Sequence, residues 1–272
     1  MADGDPIILI DRRGRRYLKT LRAGHRMTVR GTIVAADELI GRSEGILAGA
    51  GQPERFRVFR PSLAELTPLL TRAAEPVFAK DAATVLIRGD IRPGQRVIEV
   101  GVGAGALSMV LLRALGPNGH LTTYELREDL AAGARTTVAT YAGLGEEPET
   151  WNLRIGDARD GFQERDVDRI VADMPEPGTL LDVVAEALVP GGIFTSYVPT
   201  VVQLKQTHDA LTAHPLFTDG ETFEILERTW VSAEQSLRPD HRMVAHTGFV
   251  TIARRLEGRT AARPEPAKPQ EP

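Results

Sequence analysis

The sequence predicts an α/β protein in which a Rossmann-like sheet follows a small β-rich N-terminal domain. Short apolar runs separated by glycines fill the first 60 residues. Such runs are typical of a small antiparallel barrel or sandwich. From Gly94 to about Leu256, apolar strand patterns alternate with helical ones. That alternation predicts a parallel sheet with right-handed crossovers.

Composition excludes several classes of protein. A chain of 272 residues with 42% hydrophobic residues can form one large domain and a smaller one. It has no cysteine, which excludes disulfides and thiolate metal sites, and its six histidines lack ligand spacing, so we expect no metal. No apolar run reaches 18 residues, and we therefore expect neither a membrane span nor a signal peptide. We expect a cytoplasmic protein.

Basic residues concentrate near the N-terminus, although the net charge is -4 and the pI about 5.9. The block contains Arg12, Arg13, Arg15, Arg16, Lys19, Arg22, His25, Arg26 and Arg30. It is either the solvated face of a hairpin or a surface that contacts RNA. The sequence alone favours neither interpretation.

Helix signals follow the N-terminal runs. Ser62 with Glu65 forms a capping box, and a second helix is predicted to begin near Lys80-Asp81. The C-terminal half predicts a helix over 179–188, a Pro-Gly-Gly turn at 189–192, a strand over 193–198, a helix over 203–211, and paired strands over 223–230 and 246–253 around a loop at 238–243.

The glycine-rich segment from Val97 to Leu107 is the strongest functional signal. An apolar strand ends at Glu99, Gly101, Gly103 and Gly105 follow at alternate positions, and a helix begins at once. A dinucleotide site needs G-x-G-x-x-G spacing, which this segment lacks, and a carboxylate at Glu99 would repel a pyrophosphate. The pattern instead favours a ligand with an amino group or a sulfonium charge, such as S-adenosylmethionine.

Three more acidic residues follow successive predicted strands. Glu125 comes 20 to 25 residues after the glycines, where a ribose is held by its hydroxyls, and Asp157 is placed to contact an adenine amino group. Asp173 follows the fourth strand. Because the carboxyl ends of parallel strands share one edge, we expect all four acids to line one crevice.

Several segments of the chain carry a family resemblance. They are Arg60-Pro61, Lys80-Asp81-Ala82, 99–107, Tyr124-Glu125, Gly156-Asp157, 173–177 and 238–249. On these segments the chain resembles the tRNA adenine-58 N1-methyltransferase family, in its single-polypeptide bacterial and archaeal form. The glycine motif is shared by many methyltransferases, whereas the R-P-x-x-R-M-x-x-H-T-G-F ending and the small N-terminal domain are far more specific.

The resemblance implies a class I methyltransferase sheet, a homotetramer, and S-adenosylmethionine as cofactor. It implies cofactor contacts from Glu99, Gly101, Gly103, Ala104, Gly105, Ala106, Leu107, Glu125, Asp157 and Asp173. Asp173 would also be catalytic, where the methyl donor meets the target base. Substrate contacts are expected from Phe78, Lys80, Arg238 and His246, and His25 is a weaker candidate.

The expected organisation therefore has four parts. They are a small β-rich N-terminal domain (1–60), a helical connector (61–93), an S-adenosylmethionine-binding catalytic domain (94–256) and a disordered tail (257–272). The tail is rich in proline and poor in apolar residues, which is typical of disorder.

The chain departs from the family at positions near the expected acceptor. Phe78 stands where the family has tyrosine, Gly178 where it has tryptophan, and the segment 25–31 is altered. Loss of an indole that stacks on a base is worth about 1–3 kcal/mol. The favoured hypothesis is N1-methylation of adenine in tRNA. The alternatives are a diverged enzyme that methylates a small molecule or peptide, and a binding-only subunit, which the intact glycine motif and Asp173 disfavour.

Overall fold

Six short strands form the N-terminal part of the protein, in a computed structural model that describes residues 1–70, 75–141, 148–233, 235–243 and 245–258. They are β1 (Pro6–Ile10), β2 (Arg16–Thr20), β3 (Arg26–Val29), β4 (Thr32–Ala35), β5 (Leu47–Ala48) and β6 (Phe56–Phe59). A four-stranded sheet has the order β2-β1-β6-β5, and β3 pairs with β4. Phe56 and Val58 are buried while Arg57 between them is exposed, as expected for a half-buried strand. The predicted small β domain is confirmed.

Two helices connect this part to the main sheet. They are α1 (Leu63–Leu66) and α2 (Ala79–Arg88). The predicted capping box is present: the Ser62 hydroxyl accepts a hydrogen bond from the Glu65 amide, and the Glu65 carboxylate accepts one from the Ser62 amide. Helix α2 buries Ala82 and Val85 in the same apolar cluster as the main sheet.

A seven-stranded mixed sheet forms the main domain, with the order β12-β15-β11-β10-β7-β8-β9. Its strands are β7 (Arg96–Val100), β8 (His120–Glu125), β9 (Trp151–Ile155), β10 (Val167–Asp173), β11 (Leu188–Val198), β12 (Glu221–Glu224) and β15 (Phe249–Arg254). β7 to β11 are mutually parallel, and β15 is antiparallel to both β11 and β12. This confirms the predicted class I methyltransferase architecture.

Helices cover both faces of this sheet. They are α3 (Ala106–Leu115), α4 (Glu128–Tyr141), α5 (Leu181–Ala187) and α6 (Val201–Ala213). One apolar cluster joins α2, α3 and α4 to one face, and a second joins α5 and α6 to the other. Because both faces are covered, the central strands are almost wholly buried, as parallel sheets require. No helix among the described residues is long and apolar enough to cross a membrane.

The structure corrects two local predictions. The Pro-Gly-Gly segment is not a separate turn, since strand β11 begins at Leu188 and continues through it. An irregularity in the pairing with β10 accommodates the extra residues, and Gly191 has a φ of +79°. The glycine therefore adopts its positive φ inside an irregular strand, whereas the sequence predicted a turn there.

The second correction concerns the segment after β12. Instead of a strand over 223–230 and a loop over 238–243, β12 ends at Glu224, and a hairpin of β13 (Trp230–Ala233) and β14 (Ser236–Pro239) follows. Within the described parts of the chain, this hairpin pairs only with itself. Its apolar residues made the sequence resemble a core strand. The predicted tail from residue 259 onward lies outside the described residues.

We expect Arg169 to fasten the connector to the main sheet. Its guanidinium donates to the Gly89 carbonyl at 2.8 Å and to the Asp90 carboxylate at 2.5 Å. Arg169→Met would leave a buried carbonyl unpaired and should lower the free energy of unfolding by about 2–3 kcal/mol, measured by urea denaturation. The control is Arg92→Met, which removes an exposed pair with Asp90 and should cost less than about 0.5 kcal/mol. Equal losses would contradict this role.

Candidate active site

A cavity of about 530 Å³ opens at the carboxyl ends of β7, β8, β9 and β10. In an open parallel sheet this edge is where ligands bind. Residues that follow these strands line the cavity in pairs, namely Gly101 and Gly103, Glu125 and Arg127, Asp157 and Arg159, and Asp173 and Glu176. The structure thus brings together three of the four acids that the sequence predicted to share a crevice.

The glycine loop follows β7 and lies against β10. Gly101 has a φ of +87°, and a Cβ built there would be 2.1 Å from the Asp173 carbonyl oxygen. Gly105 also has a positive φ, +81°, and is the N-cap of α3. No other residue type adopts this backbone at such a close approach without strain. The loop therefore presents bare main chain to the cavity.

Glu125 holds the glycine loop in place. One of its carboxylate oxygens accepts a hydrogen bond from the Val102 amide and the other from the Arg127 amide, both at 2.9 Å. The residue is only 8% exposed. A carboxylate has about four acceptor positions, so two remain for the hydroxyls of a ligand.

Asp157 is held by its neighbour Arg159. The Asp157 carboxylate accepts from the Arg159 amide at 2.9 Å and from its guanidinium at 2.7 Å. The guanidinium is the main cause that holds the pKa of Asp157 below its ordinary value. Asp157 therefore remains a carboxylate at neutral pH and can accept a hydrogen bond from an amino group.

Asp173 is an acid of the cavity whose negative charge is not neutralised by any ion pair within the described residues. Its side chain is partly buried and has no hydrogen-bonding partner within the described part of the chain. Burial, and then the negative charge of Glu125, raise the pKa of Asp173 to about 7. A carboxyl group with free acceptor positions and a pKa near neutrality is typical of a functional residue.

Glu99 lies beneath the cavity and does not line it. It is fully buried, and one oxygen accepts from the hydroxyls of Ser108 and Thr123 at 2.6 and 2.7 Å. The other oxygen has no partner among the described residues. Burial raises the pKa of Glu99 to about 8. Ala104, Ala106 and Leu107 are also buried, and the cofactor contacts predicted for them stay a prediction.

Lys80 takes part in a largely buried hydrogen-bond network with residues distant in sequence. Its ammonium, in a side chain only 8% exposed, donates to Asp81 at 2.8 Å and also to the Thr247 hydroxyl. Thr247 in turn donates to Asp81 at 2.6 Å, and the Tyr197 hydroxyl lies 3.5 Å from the same carboxylate. Tyr197 pairs with Asp173 in the sheet. The network therefore joins α2 and the segment before the last strand to the edge of the cavity.

Two of the other predicted substrate residues, Phe78 and His246, lie beside the Lys80 network, whereas Arg238 does not. Phe78 is the N-cap of α2, and Arg238 is exposed on β14, in the separate hairpin. The two ring nitrogens of His246 contact the Glu224 carboxylate at 2.8 Å and the Pro199 carbonyl at 2.7 Å. The bond to Pro199, and then that to Glu224, raise the pKa of His246 above its ordinary value. His25 lies in the N-terminal domain, where its ring contacts the Ala23 carbonyl.

Sequence reasoning missed the two arginines of the cavity. Arg127 and Arg159 each stand two residues after a predicted acid, and that spacing was the available signal. Arg127 pairs with Asp129 and Arg159 with Asp157. Five carboxyl groups (Glu75, Glu125, Asp157, Asp173 and Glu176) therefore line the cavity against two arginines that are already paired. The cavity suits a cationic ligand and disfavours a phosphate.

The fold and the cavity together define a class I methyltransferase. Comparison with protein families shows which family within this class the chain matches. A family model described as "tRNA methyltransferase complex GCD14 subunit" matches residues 61–247, and one described as "TrmI-like N-terminal" matches residues 1–47. The chain belongs to the GCD14 methyltransferase family.

Individual relatives agree with this assignment. The chain is 31% identical to the tRNA (adenine(57)-N(1)/adenine(58)-N(1))-methyltransferase TrmI of Methanocaldococcus jannaschii, over 91% of this chain and 94% of the relative. It is 30% identical to the tRNA (adenine(58)-N(1))-methyltransferase TrmI of Thermus thermophilus, over 94% of this chain and 98% of the relative.

Solved structures show the same architecture. A crystal structure described as a SAM-dependent O-methyltransferase from Thermotoga maritima has a TM-score of 0.88 and 29% identity, and covers 96% of both chains. TrmI from Aquifex aeolicus has a TM-score of 0.81 and 24% identity, over 95% of this chain and 99% of that one. The second likeness concerns the fold alone.

We expect Gly101→Ala to disrupt the site. The added methyl group would meet the Asp173 carbonyl in a backbone conformation that L-residues rarely adopt, at a cost of at least about 2 kcal/mol. Thermal unfolding and calorimetric titration with S-adenosylmethionine should show a lower Tm and weaker binding. The control is Gly133→Ala in α4, where a Cβ would meet nothing within 4 Å. This substitution should stabilise the helix by up to about 1 kcal/mol. A Gly101 variant with unchanged Tm and affinity would contradict this constraint.

Proposed function

We propose that the protein transfers a methyl group from S-adenosylmethionine to N1 of adenine in tRNA. The observation that carries the proposal is the unpartnered Asp173 carboxyl, in an acidic cavity bordered by bare glycine backbone. The relatives that match almost the whole chain are named as enzymes with this activity.

The residues of the cavity fit S-adenosylmethionine. Glu125 has acceptor positions for the ribose hydroxyls, Asp157 can accept from the adenine amino group, and the glycine loop leaves space for the methionine part. Glu99 does not line the cavity, and its buried oxygen without a partner among the described residues lies behind this loop. When bound, the cofactor supplies an electrophilic methyl group and leaves as a neutral thioether.

Asp173 is the proposed catalytic residue. As a carboxylate it can accept a hydrogen bond from the 6-amino group of adenine, next to the attacking N1. Methylation at N1 places a positive charge on the base, and a nearby carboxylate stabilises that charge as it develops. The chain otherwise needs only to align the acceptor and exclude water. We keep Phe78, Lys80, Arg238 and His246 as proposed substrate contacts.

The N-terminal domain offers a basic surface for RNA. Several exposed arginines there have no ion pair within the described residues, namely Arg12, Arg13, Arg22, Arg26 and Arg30. Others are paired, such as Arg15 with Asp11 and Arg60 with Asp5 and Glu44. Exposed guanidinium groups without an ion pair in the described chain can contact RNA phosphates, which supports the RNA-binding interpretation of the basic block.

We also propose a homotetramer in the cytoplasm, with domain boundaries near residues 60, 93 and 256. Support for assembly comes from the hairpin β13-β14, where Trp230 is 59% and Leu237 69% exposed. Apolar side chains on a hairpin that joins no other sheet of the described chain are typical of a surface buried by another subunit. Strands β6, β7 and β15 begin or end close to the proposed boundaries.

A second candidate function is methylation of a small molecule or peptide. Two observations favour it: Gly178 stands beside the cavity without an aromatic side chain, and a similar solved structure is described as an O-methyltransferase. Nucleoside analysis separates the two candidates, because only the first yields 1-methyladenosine.

We expect the purified protein to convert an unmodified tRNA transcript into one that contains 1-methyladenosine, with labelled S-adenosylmethionine as donor. Digestion to nucleosides and mass spectrometry identify the product. Asp173→Asn should reduce kcat at least about a hundredfold with a modest change in cofactor affinity. The matched control, Asp182→Asn, changes an exposed acid of α5 outside the cavity and should retain activity. Absence of label in tRNA would overturn the proposed function, and full activity of Asp173→Asn would overturn the role of that residue.

The rate should rise with pH across neutrality. The pKa of Asp173 is raised to about 7, so the group is protonated below that pH and becomes the required carboxylate above it. We expect kcat/KM to increase with a midpoint near pH 7, and kcat to have a lower midpoint, because a bound cation favours the carboxylate. Initial rates measured from mildly acidic to mildly alkaline pH give both midpoints. The same midpoint in the residual activity of Asp173→Asn would show that another group titrates.

A further inference from the structure

A second, smaller hollow adjoins the cavity. It has a volume of about 300 Å³ and lies between the segment after β10 and helix α6. Glu176 lines both the cavity and the hollow. The two spaces are therefore neighbours, and the smaller one has room for a single ring system beside the proposed methyl-transfer site.

Small residues form the floor of the hollow. A Cβ built on Gly178 would be 2.9 Å from the Ala210 methyl group and 3.5 Å from the Thr207 Cα. The missing side chain at Gly178 thus lets α6 approach closely, and two small residues, Gly178 and Ala210, line the hollow there. The glycine does not simply leave a gap.

Two polar side chains at the hollow make no hydrogen bond in the described parts of the chain. They are the Glu176 carboxylate, which interacts electrostatically with Arg159, and the Gln206 amide, both on exposed residues. The hydroxyls of Thr179 and Thr207, in contrast, already donate to main-chain carbonyls. The hollow therefore offers a carboxylate acceptor and an amide that both donates and accepts.

We propose that this hollow binds the nucleobase next to the methylated adenine, and this inference rests on the proposed function. The ring lies against Gly178 and Ala210, and Glu176 and Gln206 contact its edge. Since a carboxylate only accepts, Glu176 needs an N–H group on that edge; every base has one, whereas an abasic nucleotide has none.

Steady-state kinetics with tRNA transcripts test the proposal. The transcripts carry either the natural nucleotides or an abasic nucleotide on the 5′ or the 3′ side of the methylated adenine. Gln206→Ala, which lies outside the cofactor cavity, should raise KM for the natural transcript about five- to tenfold with kcat nearly unchanged. Glu176→Gln should raise the same KM by a similar factor. In both variants the difference between the natural transcript and one abasic transcript should disappear.

The matched control is Asp209→Asn, an exposed residue of α6 outside the hollow, whose KM should not change. Calorimetry with S-adenosylmethionine shows whether a variant affects the cofactor site instead. Suppose the wild type is active but Gln206→Ala and Glu176→Gln keep its KM and its response to the abasic transcripts. That result would overturn this inference alone. A wild type that does not methylate tRNA would overturn both it and the proposed function.

Discussion

The close approach of the glycine loop to β10 is the constraint on which the site depends. With Gly101 against the Asp173 carbonyl, the loop can be fixed from the other side by Glu125, through the Val102 amide. The same contact places Glu125 near Asp173, and its charge contributes to the raised pKa of Asp173. One packing contact therefore shapes the cavity and adds, after burial, to the raised pKa of its central acid.

Burial of acidic groups gives the site its selectivity. Glu99 and Asp173 both have raised pKa values because burial penalises the carboxylate. A bound cation offsets that penalty, whereas a phosphate increases it. The two arginines of the cavity do not reverse this preference, because each is already paired with an aspartate.

Much of this arrangement could be predicted from the sequence. The pattern of apolar residues and the spacing of the glycines identified the strands that end near Glu125, Asp157 and Asp173, because each acid follows an apolar run. Glu99 was harder, since a pattern does not show that a side chain one residue before a strand end points into the core. The hairpin β13-β14 was missed because its apolar residues resemble a core strand. The network of Lys80, Asp81 and Thr247 joins residues far apart in sequence, which no local pattern reports.

Gly178 shows how a departure from a family pattern should be interpreted. Considered alone, a glycine in place of tryptophan removes a surface on which a base could stack. In the structure, helix α6 lies within contact range of that glycine, since a Cβ there would collide with Ala210. The polar groups of Glu176 and Gln206 then border the space that remains. Recognition of the acceptor by hydrogen bonds to the edge of a base can replace recognition by stacking, and a reshaped pocket is then compatible with an RNA substrate.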